Sequence, residues 1–150
     1  MIQIRPATAD DLARVLELRH DGFSVHAPKR YTLHEVQTLL ADVDPAELGM
    51  LIERRQLFVA TENDRVVGCA GWADMRLRHV YVDPAETRRG IGTMLVRHVE
   101  IDFRERTGSA RIRAGVGLQA EDFYRFIGYT FDEHATAADG SRYLFMSHAV

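Results

Sequence analysis

One cysteine among 150 residues rules out an internal disulfide, so the fold must rest on a packed apolar core. Cys69 lies in the run Val66-Val67-Gly68-Cys69-Ala70 and is expected to pack as a small buried hydrophobe. No apolar run reaches membrane-spanning length, and Met1 to Pro6 alternates like a strand where a secretion signal would carry an apolar block. A cytoplasmic protein without a membrane partner is expected. The histidines at 20, 26, 34, 98, 134 and 148 are scattered and form no ligand spacing with Cys69 or with a close group of acids, so no metal is expected. A broad basic face is missing too. With a net charge of −3 and an isoelectric point near 6.1, the chain does not suit a polynucleotide. Internal repeats and low-complexity tracts are also absent. The residues present, 46% hydrophobic and 27% charged, suffice for one globular domain over 1–150. The sequence leaves a homodimer open.

Read in order, Ile2 to Arg5 forms a strand ended by Pro6. Thr8 with Asp11 is a weak capping box before Leu12, Val15, Leu16 and Phe23 at helical spacing. Thr32 with Glu35 is a better one, opening a second helix through Val36, Leu39, Leu40 and Val43. Asp44-Pro45 supplies a cap and first position for its continuation through Leu48, Leu51 and Ile52. Leu57 to Thr61 and Arg65 to Trp72 read as a hairpin turned at Glu62-Asn63-Asp64, and Met75 to Val82 as the next strand of a meander. A helix follows through Ile91, Met94, Leu95, Val99 and Phe103 and stops at Thr107-Gly108. Then come a strand over Ala110 to Val116, a short helix over Leu118 to Ile127 capped by Gly128, and a closing hairpin of Tyr129 to Phe131 with Arg142 to Met146.

The stretch from Val80 to Val96 joins the third apolar run to the longest helix through Asp83-Pro84, Arg88-Arg89 and Gly90-Ile91-Gly92. Glycines at a helix start let backbone N–H groups approach a ligand closely, and the helix dipole adds positive potential at that end. Arg88 and Arg89 bring formal charge, so a phosphate or pyrophosphate is the natural guest. A Walker loop is excluded because no Lys follows either glycine, and a dinucleotide fingerprint because Leu95 occupies the place of its third glycine.

The remaining pattern, Val82-Asp83-Pro84 with basic residues and Gly90-x-Gly92 before a helix, resembles the acetyl-CoA loop of the GNAT superfamily of N-acetyltransferases. Leu118-Gln119-Ala120-Glu121-Asp122-Phe123-Tyr124 through Gly128-Tyr129 is similar to that family's Ala-x-x-Phe-Tyr-x-x-x-Gly-Phe/Tyr helix. Two positions depart from the pattern. Thr87 stands where many members have Gln or Arg, and Gln119 where many have Asn; the hydroxyl and the amide keep the capacity to hydrogen-bond. The resemblance implies an α/β fold with a mixed, largely antiparallel central sheet, helices on both faces, and a splay between the fourth and fifth strands that takes the pantetheine arm. It further implies that acetyl-CoA is the co-substrate, bound by Tyr81, Val82, Thr87, Arg88, Arg89, Gly90, Ile91, Gly92, Thr93, Gln119 and Tyr124.

Acetyl transfer to an amine needs a neutral amine, a polarised thioester carbonyl and a proton for the leaving thiolate. By resemblance, Tyr124 meets the sulfur and the Val82 N–H meets the carbonyl. For the base, alternation puts His79 and Tyr81 on one face and Arg78, Val80 and Val82 on the other, so His79 and Tyr81 are joint candidates, with Asp74 just before the strand. The loop Ser24 to Tyr31 is expected by resemblance on the acceptor side, against the plainer reading of an ordinary connection. A small-molecule primary amine is the expected acceptor. A transferase of protein N-termini or lysines and a non-catalytic acyl-CoA-binding module are the alternatives.

Overall fold

The computed structural model describes residues 1–150. Its strands are β1 (Gln3–Pro6), β2 (Leu57–Glu62), β3 (Arg65–Ala73), β4 (Arg76–Val82), β5 (Arg111–Val116), β6 (Thr130–Thr136) and β7 (Arg142–Ala149). They form one seven-stranded sheet in the order β1-β2-β3-β4-β5-β7-β6. Only β4 and β5 run parallel, joined by a helical crossover; every other neighbouring pair is antiparallel. The β2–β3 and β3–β4 turns each place two successive residues at positive φ, Asn63 and Asp64, then Asp74 and Met75. That geometry matches the right-handed twist of the flanking strands.

The helices are α1 (Leu12–His26), α2 (Leu33–Ala41), α3 (Pro45–Glu53), α4 (Ile91–Thr107) and α5 (Glu121–Phe126). The Thr32–Glu35 box closes as read: Glu35 N donates to Thr32 Oγ1 at 3.2 Å and Thr32 N to Glu35 Oε1 at 3.0 Å. Asp44 Oδ1 accepts from Ala46 N at 3.0 Å, with Pro45 in the first turn of α3. The carbonyls at the end of α2 go to Arg19, whose guanidinium donates to Leu39, Leu40 and Asp42. At the N-terminus the expected helix start is a 3-10 turn, Ala9–Asp11, before α1 begins. Asp11 is drawn to Thr8 N and to Arg5, 2.7 Å away, and this pair holds its carboxyl below the usual range.

Strand alternation sorts the core onto two faces. Leu57 and Val59 of β2 point toward Val15 and Leu18 of α1 and Leu48 and Leu51 of α3. Phe58 and Ala60 point the other way, toward Ile91, Leu95, Val99 and Phe103 of α4. Each of the larger side chains, Val, Leu, Ile or Phe, contributes about 1.5–3 kcal/mol when fully buried. β6 extends to Thr136, well past the Phe131 expected from sequence, because as an edge strand it is exposed along nearly its whole length and its polar residues carry no alternation.

Candidate active site

β4 and β5 pair only at Arg76 with Arg113 and Leu77 with Ala114, and then part. A bulge in β4 lies where the parting begins: between the pairs Cys69–Tyr81 and Gly71–Arg78, one residue of β3 faces two of β4. His79 occupies the left-handed region, φ 59, and its carbonyl accepts from the buried Cys69 thiol at 3.2 Å. Burial pushes that thiol up to about 12, so it stays protonated as a donor. The bulge also corrects the face assignment made from strict alternation. Arg78 joins His79 and Tyr81 on the α1–α3 face, whereas Leu77, Val80 and Val82 pack with α4. Asp83 N donates to Val67 O on β3, so the preceding Val82 N–H points the other way, into the gap.

The gap ends at the start of α4. Asp83 accepts from Ala85 N at 2.9 Å, Arg14 at 2.7 Å and Arg65 at 2.9 Å, which fastens the loop to α1 and β3. These partners hold the Asp83 carboxyl below its usual range, the Ala85 N–H first among them. Pro84–Glu86 makes one 3-10 turn, and Arg88 and Gly90 take positive φ, 65 and 77. The first intrahelical bond is Met94 N to Gly90 O at 3.0 Å, so the amides of Ile91, Gly92 and Thr93 have no partner within the helix. The two glycines have different reasons. Gly90 needs the left-handed conformation, whereas a Cβ on Gly92 would meet the Phe123 ring at 3.2 Å. The arginines also differ: Arg89 is engaged by Glu62 and Glu86, both at 2.6 Å, while Arg88 is exposed and carries no ion pair. Thr87 Oγ1 donates to Pro84 O at 3.3 Å.

Across the gap, Tyr124 is 7% exposed, with its ring against Phe123 and Tyr129 at 5.2 and 5.3 Å. Burial, reinforced by Tyr81, raises its pKa far above the phenol value, so it bears its proton throughout the physiological range. Tyr81 is raised likewise, first by burial. Gln119 packs over Gly117, and its Oε1 is buried without a hydrogen-bond partner. An orphaned acceptor beside the gap, free amides at the helix start and the outward Val82 N–H fit an extended ligand carrying a diphosphate and amide groups.

On the α1–α3 side the gap opens into a cleft of about 400 Å³, sufficient for a small molecule. Its walls include Arg19 and Phe23 of α1, Asp42 to Asp44 with Glu47, the β4 residues Arg76 to His79 and Tyr81, and Ser141 with Arg142 and Tyr143 of β7. His79 lies in the wall with Nε2 3.3 Å from Glu47 Oε1. Its pKa is lowered, first by burial and then by Arg78, against the opposing pull of Glu47. Glu47 was not among the residues singled out from sequence; its acid type alone carried no signal, since α3 brings it in from another part of the chain. Asp74 sits in the exposed β3–β4 turn, before the end of β4 that stays paired with β5 and away from the gap. Of the loop expected on the acceptor side, Ser24 to His26 belong to α1. Tyr31 lines the cleft and braces it: its hydroxyl donates to Arg142 O at 2.6 Å and accepts from Leu118 N at 3.0 Å.

Residues 28–150 match the family model described as an acetyltransferase (GNAT) domain. No curated protein matches the sequence. Among solved structures, the chain is similar to a GCN5-related N-acetyltransferase from Rhodopseudomonas palustris, with a TM-score of 0.88 at 20% identity over 99% of this chain and 95% of that one. The PaiA N-acetyltransferase from Thermoplasma acidophilum, solved with coenzyme A, gives 0.79 at 18% over 100% and 99%. The N-acetylglutamate synthase from Neisseria gonorrhoeae, complexed with coenzyme A and N-acetyl-glutamate, gives 0.73 at 15% over 99% of this chain and 35% of that one.

Proposed function

Because the chain belongs to the GNAT family of acetyltransferases, we propose that it transfers an acetyl group from acetyl-CoA to a primary amine of a small molecule by direct attack. The observation that carries this reading is the parting of β4 from β5 between the free amides of α4 and the buried Tyr124. Backbone amides of Ile91 to Thr93, with Arg88, hold the pyrophosphate; Val82 N–H and Gln119 face the arm and the thioester in the gap. The amine enters from the cleft. An alkylammonium has a solution pKa of roughly 10, so it must lose a proton before it attacks. His79, kept neutral near pH 7 by its lowered pKa, takes that proton. Tyr124 presents its O–H to the sulfur as the C–S bond breaks and neutralises the thiolate.

The volume of the cleft, about 400 Å³, favours a small acceptor over a folded protein surface. The reading also needs a compartment supplied with acyl-CoA, in keeping with the cytoplasmic placement expected from sequence. The test is release of free thiol from acetyl-CoA across a panel of primary amines, with short peptides alongside. Turnover on a small amine, lost in Tyr124→Phe, supports the proposal; turnover on peptides alone would replace the acceptor class, and none on either would leave a binding module.

A further inference from the structure

The oxygen that meets His79 also meets a cation. Glu47 Oε1 lies 3.3 Å from His79 Nε2 and 2.9 Å from Arg78 Nη1, an arrangement that exists because the β4 bulge turns Arg78 and His79 to the same side. From this geometry we infer that Glu47 is the positioning residue of His79, fixing the imidazole with its proton on Nε2 and stabilising the imidazolium formed when Nδ1 takes a proton from the acceptor. The inference rests on the acetyltransferase reading above.

A carboxylate only accepts hydrogen bonds, so the ring nitrogen facing it carries the proton. Neutral imidazole has one N–H, and the lone pair is therefore on Nδ1. His79 forms no other side-chain hydrogen bond, which leaves Nδ1 available to the cleft. In the proton transfer, the acceptor ammonium N–H breaks and Nδ1–H forms. The Nε2 proton stays in place, Glu47 takes none, and the imidazolium returns its proton to water after turnover.

Arg78 sets the balance at rest. Burial and the Arg78 charge together outweigh the pull of Glu47 on an approaching proton, so the imidazole stays neutral until an acceptor arrives. Once positive charge forms on the ring, the carboxylate is the nearest counter-charge. The groups facing His79 are Arg19 from α1, Glu47 from α3, and Arg78 and Tyr81 from β4; β5 contributes only Gly115 to the same cleft wall, with Gly117 just after it. Cys69 on β3 holds the bulge in place from behind.

The experiment follows the imidazole nitrogens by NMR, in full-length protein with nitrogen-15-labelled histidine, across pH in wild type, Glu47→Gln and Arg78→Gln. The pH profile of kcat/KM is measured on the same proteins with a primary amine accepted by wild type. Wild type should show His79 as the Nε2–H tautomer. Glu47→Gln should lower its pKa, move the acid limb of the profile down in pH and reduce kcat roughly ten- to a hundredfold, with calorimetric acetyl-CoA affinity unchanged. Arg78→Gln should move the pKa the opposite way, a signature that general loosening of the fold does not produce. An Nδ1–H tautomer in wild type, or a His79 pKa that ignores both substitutions, overturns the inference. Wild type that binds no acetyl-CoA overturns the functional reading instead, and the NMR titration still judges the Glu47–His79 pairing.

Discussion

The two ends of the site are built in opposite ways. The donor end is nearly continuous in sequence: Val82 to Thr93 supply a strand end, a turn, a free arginine and the first amides of a helix. The acceptor end takes its walls from α1, the α2–α3 connection, β4, β5 and β7, and its central contact joins residues 32 positions apart. Backbone groups dominate the first and side chains the second. A diphosphate can be held by amides and a helix dipole whatever the neighbouring side chains are, whereas placing a base against an acceptor requires several elements to agree. Substitutions at the donor end should therefore change acetyl-CoA affinity, and those at the acceptor end should change turnover at constant affinity.

The sharpest test of that division is Tyr124→Phe, which keeps the ring packed on Phe123 and Tyr129 and removes only the hydroxyl. It should lower kcat about a hundredfold while calorimetric acetyl-CoA affinity stays within about twofold; a matching loss of affinity would merge the two ends. Asp83→Asn comes next. It weakens the contacts to Arg14 and Arg65 that fasten the donor loop, and should cost about 2 kcal/mol of stability in urea titrations along with acetyl-CoA affinity. The sign with pH is fixed. The native Asp83 pKa lies below its ordinary 3.8, so its contribution is complete well above that value and fades as the pH falls through the native pKa. Asp83→Asn should accordingly flatten the acid limb of the stability curve.

How much of this was legible follows from how locally each feature is encoded. The Thr32–Glu35 box, the cap at Asp44, the Gly90 loop and the parting of β4 and β5 were readable because each depends on a few adjacent residues or on a motif of fixed spacing. Arg78 was assigned to the wrong face because an unbroken period of two has no place for the residue the bulge inserts at His79. β6 was read short because its exposed residues show no apolar alternation. Glu47 and the sequestering of Arg89 by Glu62 were invisible because each joins residues from different elements, and an acid or arginine in a sequence does not announce its partner.

Smaller effects sharpen the picture within the donor end. Gly92→Ala should weaken acetyl-CoA binding by roughly 1 kcal/mol, because its Cβ crowds Phe123; Phe123→Leu in the same protein should recover part of the loss. The two loop arginines should separate. Arg88→Gln should weaken binding about fivefold, and Arg89→Gln, whose charge is already taken by Glu62 and Glu86, by less than about twofold. Calorimetry on both variants checks this, and equal losses would mean that Arg89 leaves its carboxylates when the donor binds.

Calorimetric titration of acetyl-CoA into wild type and Gly90→Glu tests the central claim most directly. The substitution puts a carboxylate at the mouth of the helix and a side chain on a backbone held at φ 77. A defined one-to-one isotherm for wild type, weakened at least a hundredfold in a Gly90→Glu protein that still melts cooperatively, is the result expected of a diphosphate cradle. Equal binding by both proteins, or binding by neither, would contradict it.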